Sequence, residues 1–345
     1  MDSSPLRRAI AALAHRQSLP ESLTVEAFGV VMSGDATPAQ IAALLMGLRA
    51  KGETAEEVAG AARALREAMV SVTASGPHLV DTCGTGGGTV PTFNISTVAA
   101  FVAAGAGATV PKHGNRSFTS KCGSADVLEA LGVRIVLDAP AATRVLKEAR
   151  VAFLFAPNFH PAMKHVGPVR RELGVPSVMN LVGPLANPAG VRRQVIGVAD
   201  QDRAPVVADA LVRLGADHAL VVHGRIGMDE ISPLGVTDVW EVKDGTVRSW
   251  EIDPERYRLG IADAAVLQGG TPAENAERLE RILGNGDGDA AGLAAVLLNA
   301  GAAIYVAGIA GSFAEGIGRA REVVASGAAR AALERLRKAT ASTSG

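Results

Sequence analysis

The sequence predicts an α/β protein: a small N-terminal helical domain, then a larger domain with a central, mostly parallel sheet flanked by helices. Three observations carry this. Two hydroxyl-x-x-Gln/Glu capping boxes punctuate a helical stretch over residues 1–72. From Leu79 onward, short apolar runs rich in β-branched residues alternate with helical patterns, as in a parallel sheet covered by helices. Glycine-rich and donor-rich turns follow several of those runs, at the strand ends where open parallel sheets bind ligands.

In chain order, Pro5 to Arg16 and Val25 to Met32 read as helices. Thr37-Pro38-Ala39-Gln40 is a capping box with Pro at the first helical position, opening a helix to Arg49 or Ala50 that stops near Gly52. Thr54-Ala55-Glu56-Glu57 opens the next helix, toward Val70. Expected strands are Leu79–Thr82, Ala108–Pro111, Arg134–Leu137, Ala152–Phe155, Val195–Val198 and Ala219–His223. Asp244-Gly245 joins Val239–Val242 to Thr246–Trp250 as an antiparallel hairpin at one edge. Thr271-Pro272-Ala273-Glu274 is a third capping box, and the rest is mostly helix. Residues 167–188 return to helix and turn in mid-domain. The only low-complexity stretch is the tail from Ala339 to Gly345.

Composition sets limits. Hydrophobic residues make up 48% and charged residues 20%, which suits a globular chain. A net charge of −1 offers no overall basic field for nucleic acid, so any anion site must be local. Cys83 and Cys122 make no disulfide framework, and a reducing, cytoplasmic setting fits them. The N-terminus lacks the apolar core of a signal peptide. Ala290 to Ala314 carries no charge and is long enough to span a bilayer. Its Ala and Gly content, and Asn299 within it, read as a buried core helix instead, so no membrane span is expected.

The stretch from Val80 to Leu131 carries the chemistry. Gly84-Thr85-Gly86-Gly87-Gly88 follows Asp81. It fits neither the spacing of a dinucleotide-binding fingerprint nor a Walker A loop, which needs a Lys-Ser/Thr after its last glycine. It still lets backbone N–H groups converge on an anion. Asn94-Ile95-Ser96-Thr97 opens a small-residue helix, and Lys112 to Ser120 concentrates more donors than a turn requires. Two such clusters suggest one ligand with several anionic groups, phosphate first. Asp229-Glu230, after Val221-Val222-His223, reads either as a solvated acidic turn or as a carboxylate pair for a hard divalent cation. His113 and His160 read as packing or substrate-contact residues rather than acid–base groups. Of the adjacent Arg170 and Arg171, one fork could grip a carboxylate and the other pair with a structural acid.

The run GTGG…NIST…KHGNRS-TSK-GSAD-LEALG resembles the anthranilate phosphoribosyltransferase family, within the transferase and nucleoside phosphorylase superfamily. So do Phe155-Ala156-Pro157 through Met163, Arg170 to Gly174 with Asn180 to Pro188, and Gly227-Met228-Asp229-Glu230. The resemblance implies transfer of a phosphoribosyl group from phosphoribosyl pyrophosphate to the anthranilate amine, with diphosphate as the other product. It implies that the donor is held by Gly84, Gly87, Gly88, Thr92, Asn94, Ile95, Ser96, Thr97, Lys112, His113, Gly114, Asn115, Arg116, Ser117, Phe118, Thr119, Ser120 and Ser124. Anthranilate falls to Gly84, Asn115, His160 and Arg170, and Mg²⁺ to Ser96, Asp229 and Glu230, with no general base. It also implies a homodimer through the helical domain, with 167–188 packing back onto residues 1–72 and residues 73–345 forming the second domain. Asn180 and Asn187 read as fixed turn chemistry.

Three positions depart from the family pattern. Gly88 stands where Asp commonly follows the glycines, Cys122 replaces a small residue, and Asn158-Phe159 precede His160 where histidines are frequent. A pyrimidine nucleoside phosphorylase of the same fold would need a pyrimidine-binding set in place of Lys112–Ser120 and Arg170. A non-catalytic nucleic-acid-binding relative would show a basic surface and lose Asp229-Glu230. The sequence shows neither.

Overall fold

The computed structural model describes residues 4–117, 121–284, 286 and 288–342. Four helices come first: α1 (Pro5–Ala14), α2 (Glu21–Ser33), α3 (Pro38–Lys51) and α4 (Ala55–Glu67). Both N-terminal capping boxes form. Gln40 N–H donates to Thr37 Oγ1 at 3.3 Å while Thr37 N–H donates to Gln40 Oε1 at 2.9 Å. Thr54 and Glu57 repeat the exchange at 2.8 and 3.3 Å. Glu57 does more than cap: fully buried, it also accepts from Leu19 N–H and Lys51 Nζ, stapling the α1–α2 connection onto α4. α2 starts four residues earlier than periodicity suggests, directly after Pro20.

The α/β part continues with β1 (Asp81–Gly84), α5 (Ile95–Gly105), β2 (Val110–Gly114), α6 (Ser124–Ala130), α7 (Ala139–Ala149), β3 (Val151–Phe155), α8 (Ala156–Phe159), α9 (Met163–Leu173) and α10 (Val178–Leu185). Then come β4 (Arg193–Gly197), α11 (Ala204–Arg213), β5 (His218–Gly224), β6 (Thr237–Lys243), β7 (Thr246–Ile252), α12 (Pro272–Gly284), α13 (Ala290–Val306), α14 (Phe313–Ala325) and α15 (Ala328–Ala341). The main sheet has the order β1-β4-β5-β6-β7, parallel through β5 and antiparallel beyond it. β2 and β3 form a parallel pair, joined to the strand entering β1 by the Leu79–Thr109 bridge. Asp244 and Gly245 both have positive φ, 51° and 74°, as a two-residue hairpin of the twist-matching type requires.

One expected strand is absent. Residues 134–137 run extended, with Ile135 and Leu137 buried and Val136 exposed, but no strand lies beside them. Arg134 N–H donates instead to Thr340 Oγ1 of α15, so alternation here marks an extended segment laid along a helix. The tail is corrected too: α15 runs through Ala339 to Ala341.

The sheet is buried on both faces, and successive strand residues alternate between two apolar cores. Val195, Leu220 and Val222 join α5, α6, α7 and α12–α15. Ile196, Val198, Ala219 and Val221 join α1–α4 and α9–α11. α13 is buried along nearly its whole length because α5 and α14 flank it. Among the described residues no helix is long and apolar enough to cross a membrane.

Candidate active site

Four parallel strands, β1, β2, β4 and β5, each end in glycine: Gly84, Gly114, Gly197 and Gly224. Space explains two of them directly. A Cβ on Gly84 would lie 2.5 Å from Asp229 Oδ2, and one on Gly197 would collide with the Asp229 carbonyl oxygen. The acidic turn therefore crosses the ends of β1 and β4 in contact with bare backbone. It is folded by Gly224 N–H donating to Met228 O at 2.9 Å and Met228 N–H returning to Gly224 O at 3.1 Å. The glycine turn meets it from the other side. Gly86 N–H donates to Asp229 Oδ2 at 2.8 Å and Thr89 N–H to Gly227 O at 2.9 Å. Gly86 and Gly87 have φ of +71° and +83° with open space around them, the conformation of an anion-binding nest. A Cβ on Gly88 would sit 3.1 Å from Asp229 Oδ1, so an acid there would stand against the existing carboxylate.

The electrostatics suit an incoming cation. Burial pushes Glu230 up to about 8, its neighbour Asp229 adds to the rise, and Lys112 opposes it. Burial raises Asp229 as well. Both residues remain half-buried, open enough for a cation to reach them. Ser96 faces the same point: its N–H bonds Glu230, and its Oγ accepts from Lys112 Nζ at 3.3 Å. Among the described residues no group of three or more His, Cys, Asp or Glu assembles for a metal. Two carboxylates and a hydroxyl are hard oxygen donors, a partial set that substrate oxygens would complete.

Behind this lies a buried hub that the sequence reading did not assign. Asp81, fully buried, accepts from Thr82 N–H at 2.8 Å, from His113 N–H at 3.4 Å and from Asn187 Nδ2 at 2.8 Å. Asn187 also donates to Pro111 O. Burial raises Asp81 while Lys112 and these donors pull it back. Lys112 Nζ, itself buried, donates to Thr82 O at 2.6 Å. An acid directly after an apolar strand run was the available signal for Asp81. Cys83 sits between these charges, and burial, then Asp81, push its thiol well above its usual value, so it stays protonated. Cys122 is packed, its Sγ 3.5 Å from Asn94 Oδ1.

Other expected donor-site residues divide. The Asn94 amide is engaged with Cys122 O and Asn275. Ile95 has its side chain in the core, and its N–H donates to Phe93 O. Thr97 Oγ1 is buried without a partner. The Arg116 guanidinium is drawn to Asp126 and Glu129, both at 2.6 Å, and stands over the Phe155 ring. Ser124 Oγ donates to Asn115 O at 3.2 Å, and Gly114 packs against both Ser124 and Phe153. Thr92 and Ser117 are half-buried near the cleft. Phe118, Thr119 and Ser120 lie outside the described residues.

On the acceptor side, the His113 and His160 rings stand 5.0 Å apart. The His113 ring lies against the Gly183 backbone and the His160 ring against the Ala186 backbone, whose hydrogen bonds oppose the effect of burial on each. Burial lowers His113 to about 3, with His160 and Lys112 adding to the effect, and lowers His160 to about 4. Both rings are therefore neutral at pH 7. Arg170 is half-buried, bonded through Nη2 to Asn180 Oδ1 at 3.3 Å, and has no carboxylate partner among the described residues. Arg171 is exposed, and among the described residues the structural acid expected for it is not found. Asn158 and Phe159 are structural, Asn158 bonding Leu137 O and Phe159 filling the core.

Residues 76–330 match the a/b domain of the glycosyl transferase family, and residues 7–69 match its helical bundle domain. An anthranilate phosphoribosyltransferase from Laribacter hongkongensis is 52% identical over 89% of each chain. One from Roseiflexus castenholzii is 50% identical over 96% of this chain and 97% of its own. Among solved structures, the Thermus thermophilus anthranilate phosphoribosyltransferase superposes with a TM-score of 0.91 at 43% identity, covering 97% of this chain and 99% of that one. The Saccharomyces cerevisiae enzyme in complex with PRPP and Mg superposes at 0.90 with 28% identity, covering 99% of each chain.

Proposed function

The chain belongs to the glycosyl transferase family that contains the anthranilate phosphoribosyltransferases, and from that membership we propose that it transfers the phosphoribosyl group of phosphoribosyl pyrophosphate to the amine of anthranilate. The observation that carries this reading is the meeting of the glycine turn with the Asp229-Glu230 turn over the glycine ends of β1 and β4. One surface there offers backbone N–H groups to phosphate oxygens and carboxylates to the cation that accompanies them.

Displacement at the ribose C1 has a cation-like transition state with diphosphate departing, so stabilising the leaving group is the main catalytic lever. Asp229 and Glu230, with Ser96, would hold Mg²⁺, which when bound supplies positive charge opposite the diphosphate. The glycine turn beyond Gly86, whose own N–H is held by Asp229, offers its remaining N–H groups to the same oxygens, while the first-turn N–H groups of α5 are spent on Phe93 O, Asn94 O and Glu230. Lys112, anchored on Thr82 O, adds a fixed charge beneath them. The aryl amine is neutral at pH 7, and the neutral His113 and His160 rings leave it so. Arg170, steadied by Asn180, is the cation for the acceptor carboxylate, and His160 belongs to the same acceptor set. Gly84, Thr92, Asn115, Ser117 and Ser124 complete the lining, and Phe118 to Ser120 belong to the same donor set.

The helical part, residues 1–72, and residues 73–345 act as two domains, with 167–188 closing on the first. The packing of α9 and α10 with α1–α4, in a core that α11 and one face of the sheet also join, supports the return of 167–188 to the first domain. By resemblance the chain forms a homodimer through its helices, which sedimentation velocity would read as one species of twice the chain mass. With no disulfide framework in the sequence, we place the enzyme in the cytoplasm. The test of function is loss of anthranilate fluorescence with phosphoribosyl pyrophosphate and Mg²⁺, run beside uridine with phosphate. Turnover in the first is expected. Turnover only in the second overturns the assignment.

A further inference from the structure

We propose that Asn299, a residue of α13 remote in sequence from every motif, is the positioning residue that sets the metal-binding geometry of Asp229 and Glu230. The inference rests on the reading that these two carboxylates hold Mg²⁺. Asn299 is 3% exposed in a helix whose other side chains are, except Tyr305, apolar. Its Oδ1 accepts from Ile231 N–H at 3.0 Å, and its Nδ2 donates to Ile231 O at 2.9 Å and to Ala295 O at 2.9 Å. The side-chain amide thus pairs with both backbone groups of the residue that follows Glu230. Upstream, the reciprocal bonds between Gly224 and Met228 close the other end of the turn. The residues between these two fixed points are Asp229 and Glu230.

The amide also lines the same narrow space as Ser96 and Glu230, between the ends of β1 and β4 and the start of α5. A buried amide in an apolar helix is costly unless its hydrogen bonds are made, and a plain core position would be better filled by an aliphatic side chain. Here two of the three bonds go to the acidic turn. Groups that orient ligands from behind commonly set metal affinity by about 10- to 100-fold. Asn299 is placed to do this through the backbone, by fixing where the turn ends.

The test uses full-length protein with phosphoribosyl pyrophosphate present and anthranilate withheld, so that nothing turns over. Bound Mn²⁺ is then counted by electron paramagnetic resonance. Asn299→Leu keeps the branched heavy-atom skeleton and removes the amide, and should weaken Mn²⁺ by about 10-fold or more while melting remains cooperative. Asn299→Ala, which a helix accepts without steric demand, repeats the measurement should Leu prevent folding. Asp229→Ala is the control for the underlying reading. Wild-type Mn²⁺ affinity in Asp229→Ala overturns the metal assignment itself. Loss in Asp229→Ala with wild-type affinity in either folded Asn299 variant overturns only the role of Asn299. Failure of both Asn299 variants to fold overturns it too, by making the residue a folding determinant.

Discussion

Arg170 shows how a single side chain declares a ligand. Its guanidinium is half-buried, touches one neutral amide, and lacks any carboxylate among the described residues to offset its desolvation. Anthranilate carries a carboxylate ortho to its amine, and a planar fork fixes both its position and its direction. Arg170→Ala should lower kcat/KM for anthranilate by about 30-fold, from a charge-assisted pair worth about 2 kcal/mol, with little change in the Michaelis constant for phosphoribosyl pyrophosphate. Lys should recover only part of it. Exposed, unpaired Arg171 serves as control and should change neither constant nor stability. A selective anthranilate defect from Arg171→Ala, with none from Arg170→Ala, would move the contact by one residue. The histidine pair makes a second residue-scale prediction. Both folded pKa values lie below the usual 6.5, at about 3 and about 4, so the unfolded chain binds these protons more readily. Their contribution to stability is therefore complete above pH 6.5 and is lost as pH falls toward 4 and then 3. Denaturation midpoints measured at pH 7 and pH 5 should drop less in His160→Phe than in the parent. Equal drops would mean that His160 titrates normally.

At the scale of elements, glycines decide how closely helices approach. α13 and α14 cross where a Cβ on Gly316 would run into Gly301 O and one on Gly301 would lie 2.7 Å from Ile317. Gly316→Ala should push the helices apart and destabilise by about 1–3 kcal/mol, the usual range for overpacking a close contact. α13 also carries Asn299, so the same substitution should loosen the acidic turn and raise the Mg²⁺ concentration needed for half-maximal activity. Unchanged melting, followed by circular dichroism, would show that the two helices can part without strain. Capping boxes located the starts of α3, α4 and α12 well because their signals are local, whereas the uncharged run from Ala290 to Ala314 read as one helix and is broken between α13 and α14. The strand expected at 134–137 failed for a different reason: alternation reports which side chains are buried, not whether a neighbouring strand exists.

Across the whole molecule, the sheet separates two apolar cores, and the helical bundle contributes to only one of them. α4 covers apolar residues on α10 and α11, among them Val182, Leu185, Val207 and Leu211. A chain starting at residue 73 should therefore expose this face and aggregate on expression, read by light scattering. A monodisperse, cooperatively melting fragment would show that the α/β part needs no cover from the helices. The site itself sits at the other boundary, where four strand ends, α5 and the turn before β6 converge. No single element contains it.

What the sequence by itself determined is what depends on near neighbours in the chain. Capping boxes, the Asp244-Gly245 hairpin and the alternation of strands and helices were legible, because each is a short pattern with a direct physical meaning, while the roles of Ser96, Lys112, Arg170, Asp229 and Glu230 came from family resemblance. Tertiary structure alone decided partners. Nothing in the order of residues says that Arg116 pairs with Asp126 and Glu129, that Asp81 gathers three donors, or that Asn299 closes on Ile231 from 68 positions away. Those bonds exist because packing removes water from both groups at once, and a buried donor or acceptor then takes whichever partner the fold brings within reach.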